Sequence, residues 1–291
     1  MGVKEKRFTY KGEDGEQIAA FEWTSSAKPR AVIQLAHGAG EHSLRYVEPL
    51  APLIEAGYVI YSADHRGHGL TAGPNAERLG DFGPGGRAAA ITDMAVLSKL
   101  IRKERPDLKL TLLGHSMGAG FAQSYILDHH KLIDALVLSG TAAAMAPPPA
   151  GAQPAAANTA RAGWNAAFPN PRTDYDWLSR DEKEVDKYIA DPLCGIRFKP
   201  APPDAPTPRV FDPALMALID PLMPVYVFVG DEDPVNDKLK RITPLMERFK
   251  EAGLKDVTLK VYPGGRHEML NETNRDEVVA DLKAWLDEKA V

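Results

Sequence analysis

Cysteine is almost missing from this sequence: Cys194 is the only one in 291 residues. A lone thiol excludes an intrachain disulfide, so nothing here requires an oxidising compartment. The segment Met1-Gly2-Val3-Lys4-Glu5-Lys6-Arg7 lacks the apolar stretch of a secretory signal. No apolar run reaches the roughly 20 residues of a membrane-spanning helix. Positive charge is not in excess either. With 35 Lys and Arg against 40 Asp and Glu, the formal charge is -5 and the basic stripe of a nucleic-acid surface is wanting. Internal repeats are also lacking. These absences leave an ordinary globular composition, 44% hydrophobic and 26% charged. The expectation is a cytoplasmic protein that has no membrane span and no nucleic-acid partner.

What is present is a rhythm of short buried strands and amphipathic helices. Arg7 to Tyr10 and Gln17 to Thr24, split by Lys11-Gly12-Glu13-Asp14-Gly15, read as an opening hairpin. Apolar runs at Ala31 to Ala36 and Tyr58 to Ala63 have the character of buried strands, and Lys109 to Leu113, Ala135 to Ser139, Val225 to Val229 and Val257 to Tyr262 read as further strands. Helical spacing appears between them, over Tyr46 to Ala56, from Gly85 to Pro106, after Ser116, over Asp237 to Ala252, and around Val278, Leu282, Trp285 and Leu286. The alternation predicts an α/β fold, a mostly parallel sheet covered on both faces. It breaks between Thr141 and Asp220, where roughly half of the 24 prolines lie. Proline-rich runs at Ala143 to Ala150 and Pro200 to Pro208 bracket a piece carrying Trp164, Phe168, Tyr175 and Trp177. The expected organisation is a core of residues 1–140 and 221–291 with a lid, 141–220, inserted between.

The stretch Gly114-His115-Ser116-Met117-Gly118 stands between a strand and a helix. A Gly-x-Ser-x-Gly in that setting puts serine on a sharp, strained turn with its hydroxyl lifted clear of the sheet. Serine is a weak nucleophile at neutral pH and needs a base within hydrogen-bond reach. Three histidines follow it: His129, His130 and His267. The first two fall at the far end of the serine's own helix and are expected to be solvated there. His267 follows the last strand, where a loop at the carboxyl edge of a parallel sheet forms sites, and is the expected base. The acid is expected in Gly230-Asp231-Glu232-Asp233-Pro234, which offers three carboxylates. Pro234 biases Asp233 to an extended conformation, which favours it, with Asp231 as the alternative. A second oxyanion donor is expected in the glycine-rich loop His37-Gly38-Ala39-Gly40, where the Ala39 amide would converge with that of Met117.

Four segments, His37-Gly38-Ala39-Gly40-Glu41-His42-Ser43-Leu44-Arg45-Tyr46, Asp64-His65-Arg66-Gly67-His68-Gly69, Gly114-His115-Ser116-Met117-Gly118 and Gly265-Arg266-His267-Glu268, come in an order that resembles the monoacylglycerol lipase and lysophospholipase branch of the α/β-hydrolases. The resemblance implies a catalytic set of Ser116, Asp233 and His267, with Ala39 and Met117 as oxyanion amides. Glu41, Arg45 and His115 match positions that lie near the polar alcohol portion of the substrate in the mammalian enzyme. The alternative for Glu41 and Arg45 is that they pair with one another on their loop.

The expected activity is that of a serine carboxylic-ester hydrolase acting on monoacylglycerol-like or lysophospholipid-like substrates through an acyl-enzyme. It needs no cofactor and no metal. His37, His42, His65 and His68 are close in sequence, but without a matching carboxylate or cysteine they read as loop-bracing residues. Cys194 reads as a small buried lid residue. The aromatics Trp164, Phe168, Tyr175, Trp177 and Phe198 read individually as lid core, while the lid as a whole offers transient contact with a lipid surface. The same residues would also serve an amide, thioester, C–C or acyl-transfer reaction, or remain on a scaffold that only binds ligand.

Overall fold

The computed structural model describes residues 2–73, 75–143, 163–195, 198–199, 206, 208–209 and 211–291. The proline-rich runs at 144–150 and 200–205 lie outside the described residues. Strands β1 (Lys4–Lys11), β2 (Gln17–Thr24), β3 (Ala31–Ala36), β4 (Tyr58–Ala63), β5 (Leu110–His115), β6 (Ala135–Ser139), β7 (Val225–Gly230) and β8 (Val257–Tyr262) form one sheet in the order β1-β2-β4-β3-β5-β6-β7-β8. The hairpin β1–β2 is antiparallel and joins β4 antiparallel, while β4 through β8 are mutually parallel. Strands β3 to β7 are buried at every position, as parallel strands covered on both faces must be.

Helices α1 (Val47–Glu55) and α7 (Arg275–Lys289) pack on one face of the sheet, and α2 (Gly86–Glu104), α3 (Met117–His129) and α6 (Ile242–Glu251) on the other. The strand period of two sorts residues between these layers. On β3, Ala31, Ile33 and Leu35 meet the first layer, and Val32 and Ala36 the second. Between β6 and β7 lie α4 (Glu182–Ala190) and α5 (Pro213–Met216), with no strand among the described residues. None of the described helices is long and apolar enough to cross a membrane.

One helix begins later than its periodicity suggests. The pattern spans Asp237 to Ala252, but α6 starts at Ile242. Asp237, Lys238 and Leu239 have φ of 52°, 48° and 74°, a left-handed run that a right-handed helix excludes. The Asn236 side chain accepts the Leu239 N–H at 2.7 Å and holds this turn. The consequence is a compact loop, 230–241, in place of an extra helical turn.

Candidate active site

The turn after β5 places Ser116 at φ 53° and ψ -115°, a strained conformation for a residue with a side chain. Its neighbours explain why the turn is framed by glycine. A Cβ on Gly114 would lie 2.5 Å from the Gly118 carbonyl oxygen, and one on Gly118 would lie 2.1 Å from the Ala36 oxygen. Strand β3 and helix α3 therefore meet backbone to backbone beneath the serine. Gly118→Ala should lower folding stability by about 3 kcal/mol, read from urea unfolding, because rigid backbone cannot yield to the methyl group. A normal unfolding curve for that variant would contradict this packing.

His267, in the loop after β8, brings its Nε2 to 2.8 Å from the Ser116 Oγ. Its Nδ1 donates to the Asp233 Oδ2 at 3.0 Å. Asp233 and His267 are both fully buried. Burial by itself pulls the His267 pKa down, but the Asp233 charge and hydrogen bond, helped by Glu268 and Glu41, outweigh it and leave the imidazole above its ordinary value. Asp231 has a different position: its carboxylate accepts the Gly264 N–H at 2.7 Å, across the neck of the His267 loop. Thus Asp233, and not Asp231, meets the imidazole. The two loops touch because Gly230 and Gly265 are bare: a Cβ on Gly230 would stand 2.0 Å from the Gly265 oxygen.

The loop after β3 passes the other side of Ser116. Gly38 is again indispensable, since a Cβ there would be 3.1 Å from that of Ser116 and 2.6 Å from the Glu41 carboxylate. Among the described residues, the turn and loop carbonyls accept no hydrogen bond from the Ala39 or Met117 N–H. Met117 is the first residue of α3, where helix amides lack internal partners and favour negative charge. Histidines brace this loop from behind. His37 Nε2 accepts the His65 N–H at 2.9 Å and its Nδ1 donates to the Gly38 carbonyl at 2.8 Å. The His65 and His68 rings stand 4.3 and 5.2 Å from that of His37. Burial keeps His37 and His65 well below their ordinary pKa, as neutral rings.

Ser116 and His267 open on a cavity of about 160 Å³ whose walls include Ala39, Glu41, His115, Trp164, Trp177 and Phe198. Trp164, Trp177 and Phe198 are therefore wall residues, which corrects the reading of each as lid core alone; Trp164 and Trp177 also pack on one another, whereas Phe198 packs on His68 and Phe82. Phe168 and Tyr175 pack on a small cluster of Trp177, Leu178 and Tyr188. Glu41 reaches the cavity but is held: it accepts the Gly38 N–H and, at 2.6 Å, the Tyr46 hydroxyl, and it pairs with Arg45. Arg45 is not a wall residue of this cavity. Its guanidinium forms a two-pronged bridge to Glu268, 2.7 Å on each prong, and lies over the Tyr188 ring at 4.8 Å. His115 lines the cavity with its ring 5.0 Å from His267. Burial, then the neighbouring His267, holds His115 at about 4, so it is neutral near pH 7.

This arrangement has known counterparts. Residues 27–274 match the family model described as serine aminopeptidase, S33. The monoacylglycerol lipase of Mycolicibacterium smegmatis is 30% identical over 285 residues, covering 96% of this chain and 95% of the relative. The chain belongs to the monoacylglycerol lipase family of α/β-hydrolases. The human monoglyceride lipase of that family is also 30% identical, over 95% of this chain and 88% of its own. Among solved structures, a thermostable carboxyl esterase from Bacillus coagulans superposes with a TM-score of 0.82 at 26% identity, covering 99% of each chain. Like these relatives, the protein is a carboxylic-ester hydrolase of the monoacylglycerol lipase type and takes a small-molecule ester.

Several residues of this monoacylglycerol lipase family member escape a reading of sequence. The Trp177 and Leu178 carbonyls accept the His267 and Glu268 N–H groups at 3.4 and 2.7 Å, and the Trp177 ring lies 5.1 Å from the imidazole. Asn236 donates to the Gly230 carbonyl at 3.3 Å and to Asp233 at 3.4 Å. Glu268 is the main partner of Arg45 from 223 residues away. Only Asn236 left a local signal, an Asn three residues past an acid in a turn-rich loop. The others are contacts between distant segments.

Proposed function

We propose that this chain hydrolyses monoacylglycerols and closely related single-chain esters, with Ser116 as nucleophile, His267 as general base and acid, and Asp233 as the orienting carboxylate. The observation that carries the reading is the unbroken chain Asp233–His267–Ser116 at 3.0 and 2.8 Å, ending in the cavity. The Ser116 hydroxyl passes its proton to His267 Nε2 as Oγ attacks the ester carbonyl. Asp233 keeps the imidazole in the tautomer whose Nε2 lone pair faces the serine, and then stabilises the imidazolium. The Ala39 and Met117 N–H groups receive the oxyanion, a role suited to amides that no turn or loop carbonyl among the described residues engages. His267 next protonates the leaving alcohol, and water repeats the steps on the acyl-enzyme.

The substrate class is supported by the relatives and by the walls. Aromatic rings of Trp164, Trp177 and Phe198 suit a hydrocarbon chain, and the Glu41 carboxylate is a polar wall group able to accept from a glycerol hydroxyl. The Bacillus coagulans esterase was solved in complex with glycerol. Arg45 serves this site by positioning Glu41. The lid, residues 141–220, would meet a micelle or bilayer where such esters reside; Ile189 on α4 is an exposed apolar residue there. A cytoplasmic location fits the reading.

The test is a substrate panel: monoacylglycerol, lysophosphatidylcholine, p-nitrophenyl esters and an aminoacyl anilide. Monoacylglycerol should be turned over with the highest kcat/KM; anilide cleavage without ester cleavage would refute the assignment. The Asp233→Asn variant should lose about 10⁴-fold in kcat, as the imidazole falls into the wrong tautomer, whereas Asp231→Asn should keep activity within a few-fold. The pH profile provides a second reading. His267 must be neutral to accept the serine proton, so kcat/KM falls as pH drops through its raised pKa. In Asp233→Asn the raising partner is gone and burial remains, so the acid limb should move to lower pH. An unmoved limb would show that another group titrates.

A further inference from the structure

Away from Ser116, one group of side chains has a donor set that none of the steps above uses. His42, Asp191 and Cys194 each hold a potential ligand atom, and these atoms lie within 4.8 Å of one another. His42 ends the core loop that carries Ala39, while Asp191 and Cys194 lie in the turn after α4. We propose that these three side chains bind a zinc-class divalent cation, which fastens the lid turn to the loop beside the oxyanion amides.

The donor chemistry selects the ion. Imidazole nitrogen, carboxylate oxygen and thiolate sulfur together suit zinc and its relatives cadmium and cobalt, and not the hard, oxygen-seeking magnesium or calcium. At bond lengths of about 2.0–2.3 Å, tetrahedral ligand atoms stand about 3.3–3.8 Å apart. The His42 Nε2 and Asp191 Oδ2 are 2.8 Å apart, so that pair opens by roughly half an ångström, and rotation about the Cys194 side chain closes the widest gap.

The scaffold around the site is already set. The other Asp191 oxygen accepts the Leu193 N–H at 2.8 Å, which leaves Oδ2 to face His42. Gly195 N–H and the Tyr188 hydroxyl both donate to the Gly40 carbonyl at 2.9 Å, tying the turn to the core loop. The His42 Nδ1 is buried and has no hydrogen-bond partner. Without metal, the Nε2–H donates to Asp191 Oδ2 at 2.8 Å; because no partner holds Nδ1, the ion can displace this proton to Nδ1 and take the Nε2 lone pair. Cys194 is a neutral thiol by itself, since burial pushes its pKa up; binding releases its proton to solvent as the metal–sulfur bond forms. Arg45 is close to the thiol, but its charge is matched by Glu41 and Glu268. A solvent groove of about 390 Å³ containing His42 and Asp191 gives the ion a path and a water as fourth ligand.

Cobalt titration of the full chain tests this directly. One equivalent of Co²⁺ should produce a thiolate-to-cobalt charge-transfer band, displaced by Zn²⁺. Because Cys194 is the sole cysteine, the band can come from no other thiol. Cys194→Ser should abolish the band, and Cys194→Ser or Asp191→Asn should weaken Zn²⁺ at least about tenfold. Zn²⁺ should also raise the thermal midpoint of the wild-type chain more than that of Cys194→Ser. Absence of the band in the reduced wild-type protein, or equal Zn²⁺ affinity in Cys194→Ser, would overturn the proposal. If a variant fails to fold, the wild-type cobalt spectrum decides alone.

Discussion

Replacing Ser116 by alanine is expected to lower kcat on p-nitrophenyl esters by about 10⁶-fold, without changing the fold. The size follows from the proposed role, in which Oγ supplies the bond-forming electron pair and no neighbour replaces it. The residual rate should remain about 10³-fold above water, because the Ala39 and Met117 amides and the cavity stay in place. Removing His267 in addition should cost little more, since the two act as a unit joined by a 2.8 Å hydrogen bond. The same Ser116→Ala chain should fail to react with a fluorophosphonate that labels the wild type. Labelling of the alanine variant, or ester turnover within tenfold of wild type, would mean that another nucleophile does the chemistry. A melting curve near that of wild type separates a chemical loss from a folding loss.

The second large effect concerns stability. Arg45→Met should destabilise the fold by about 3–5 kcal/mol at neutral pH, measured by urea unfolding. Arg45 is the common partner of two buried carboxylates, Glu41 and Glu268. Removing it strands both charges in an environment that cannot hydrate them. Burial by itself would raise the Glu268 carboxyl, yet the Arg45 charge and its paired hydrogen bonds hold it well below the usual range. A depressed folded pKa contributes stability above the unfolded value, about 4.3, and that contribution is lost as pH falls toward the folded one. In Arg45→Met the sign reverses: an unpaired, buried Glu268 has a raised pKa and is relieved by protonation. The gap between wild type and variant should therefore narrow on acidification. The double variant Arg45→Met with Glu268→Gln should recover a substantial part of the loss. A single-variant effect under about 1 kcal/mol would mean that water reaches these carboxylates. Activity should fall too, because Glu41 bonds the Gly38 N–H beside Ala39.

Much of the framework was legible in local chemistry. The strands at Ala31–Ala36, Tyr58–Ala63 and Ala135–Ser139 have the bounds of their mostly apolar runs, since burial on two faces favours apolar residues, and the half-exposed edge strand Val257–Tyr262 is legible from its β-branched residues. Ser116 announced itself through Gly114 and Gly118, whose missing side chains are demanded by backbone 2.1–2.5 Å from where a Cβ would be. His267 was reached by elimination among three histidines, an argument of chain order.

Contacts between segments far apart in sequence were not legible in that way. Three carboxylates in Gly230-Asp231-Glu232-Asp233-Pro234 were equivalent candidates by spacing, and only the approach of the β8 loop gave Asp233 the imidazole and Asp231 the Gly264 amide. The pairing of Arg45 with Glu41, four residues away, is legible on their loop and is present, but the second carboxylate, Glu268, comes from the opposite end of the chain and leaves no local signal. The meeting of His42 with Asp191 and Cys194 has the same origin, 149 residues apart for the first pair. Periodicity and turn chemistry act over a few residues and so specify elements and their ends. Which side chains converge depends on how those elements pack, and burial then makes each such meeting decisive, because a charge shut off from water must take the partner it finds.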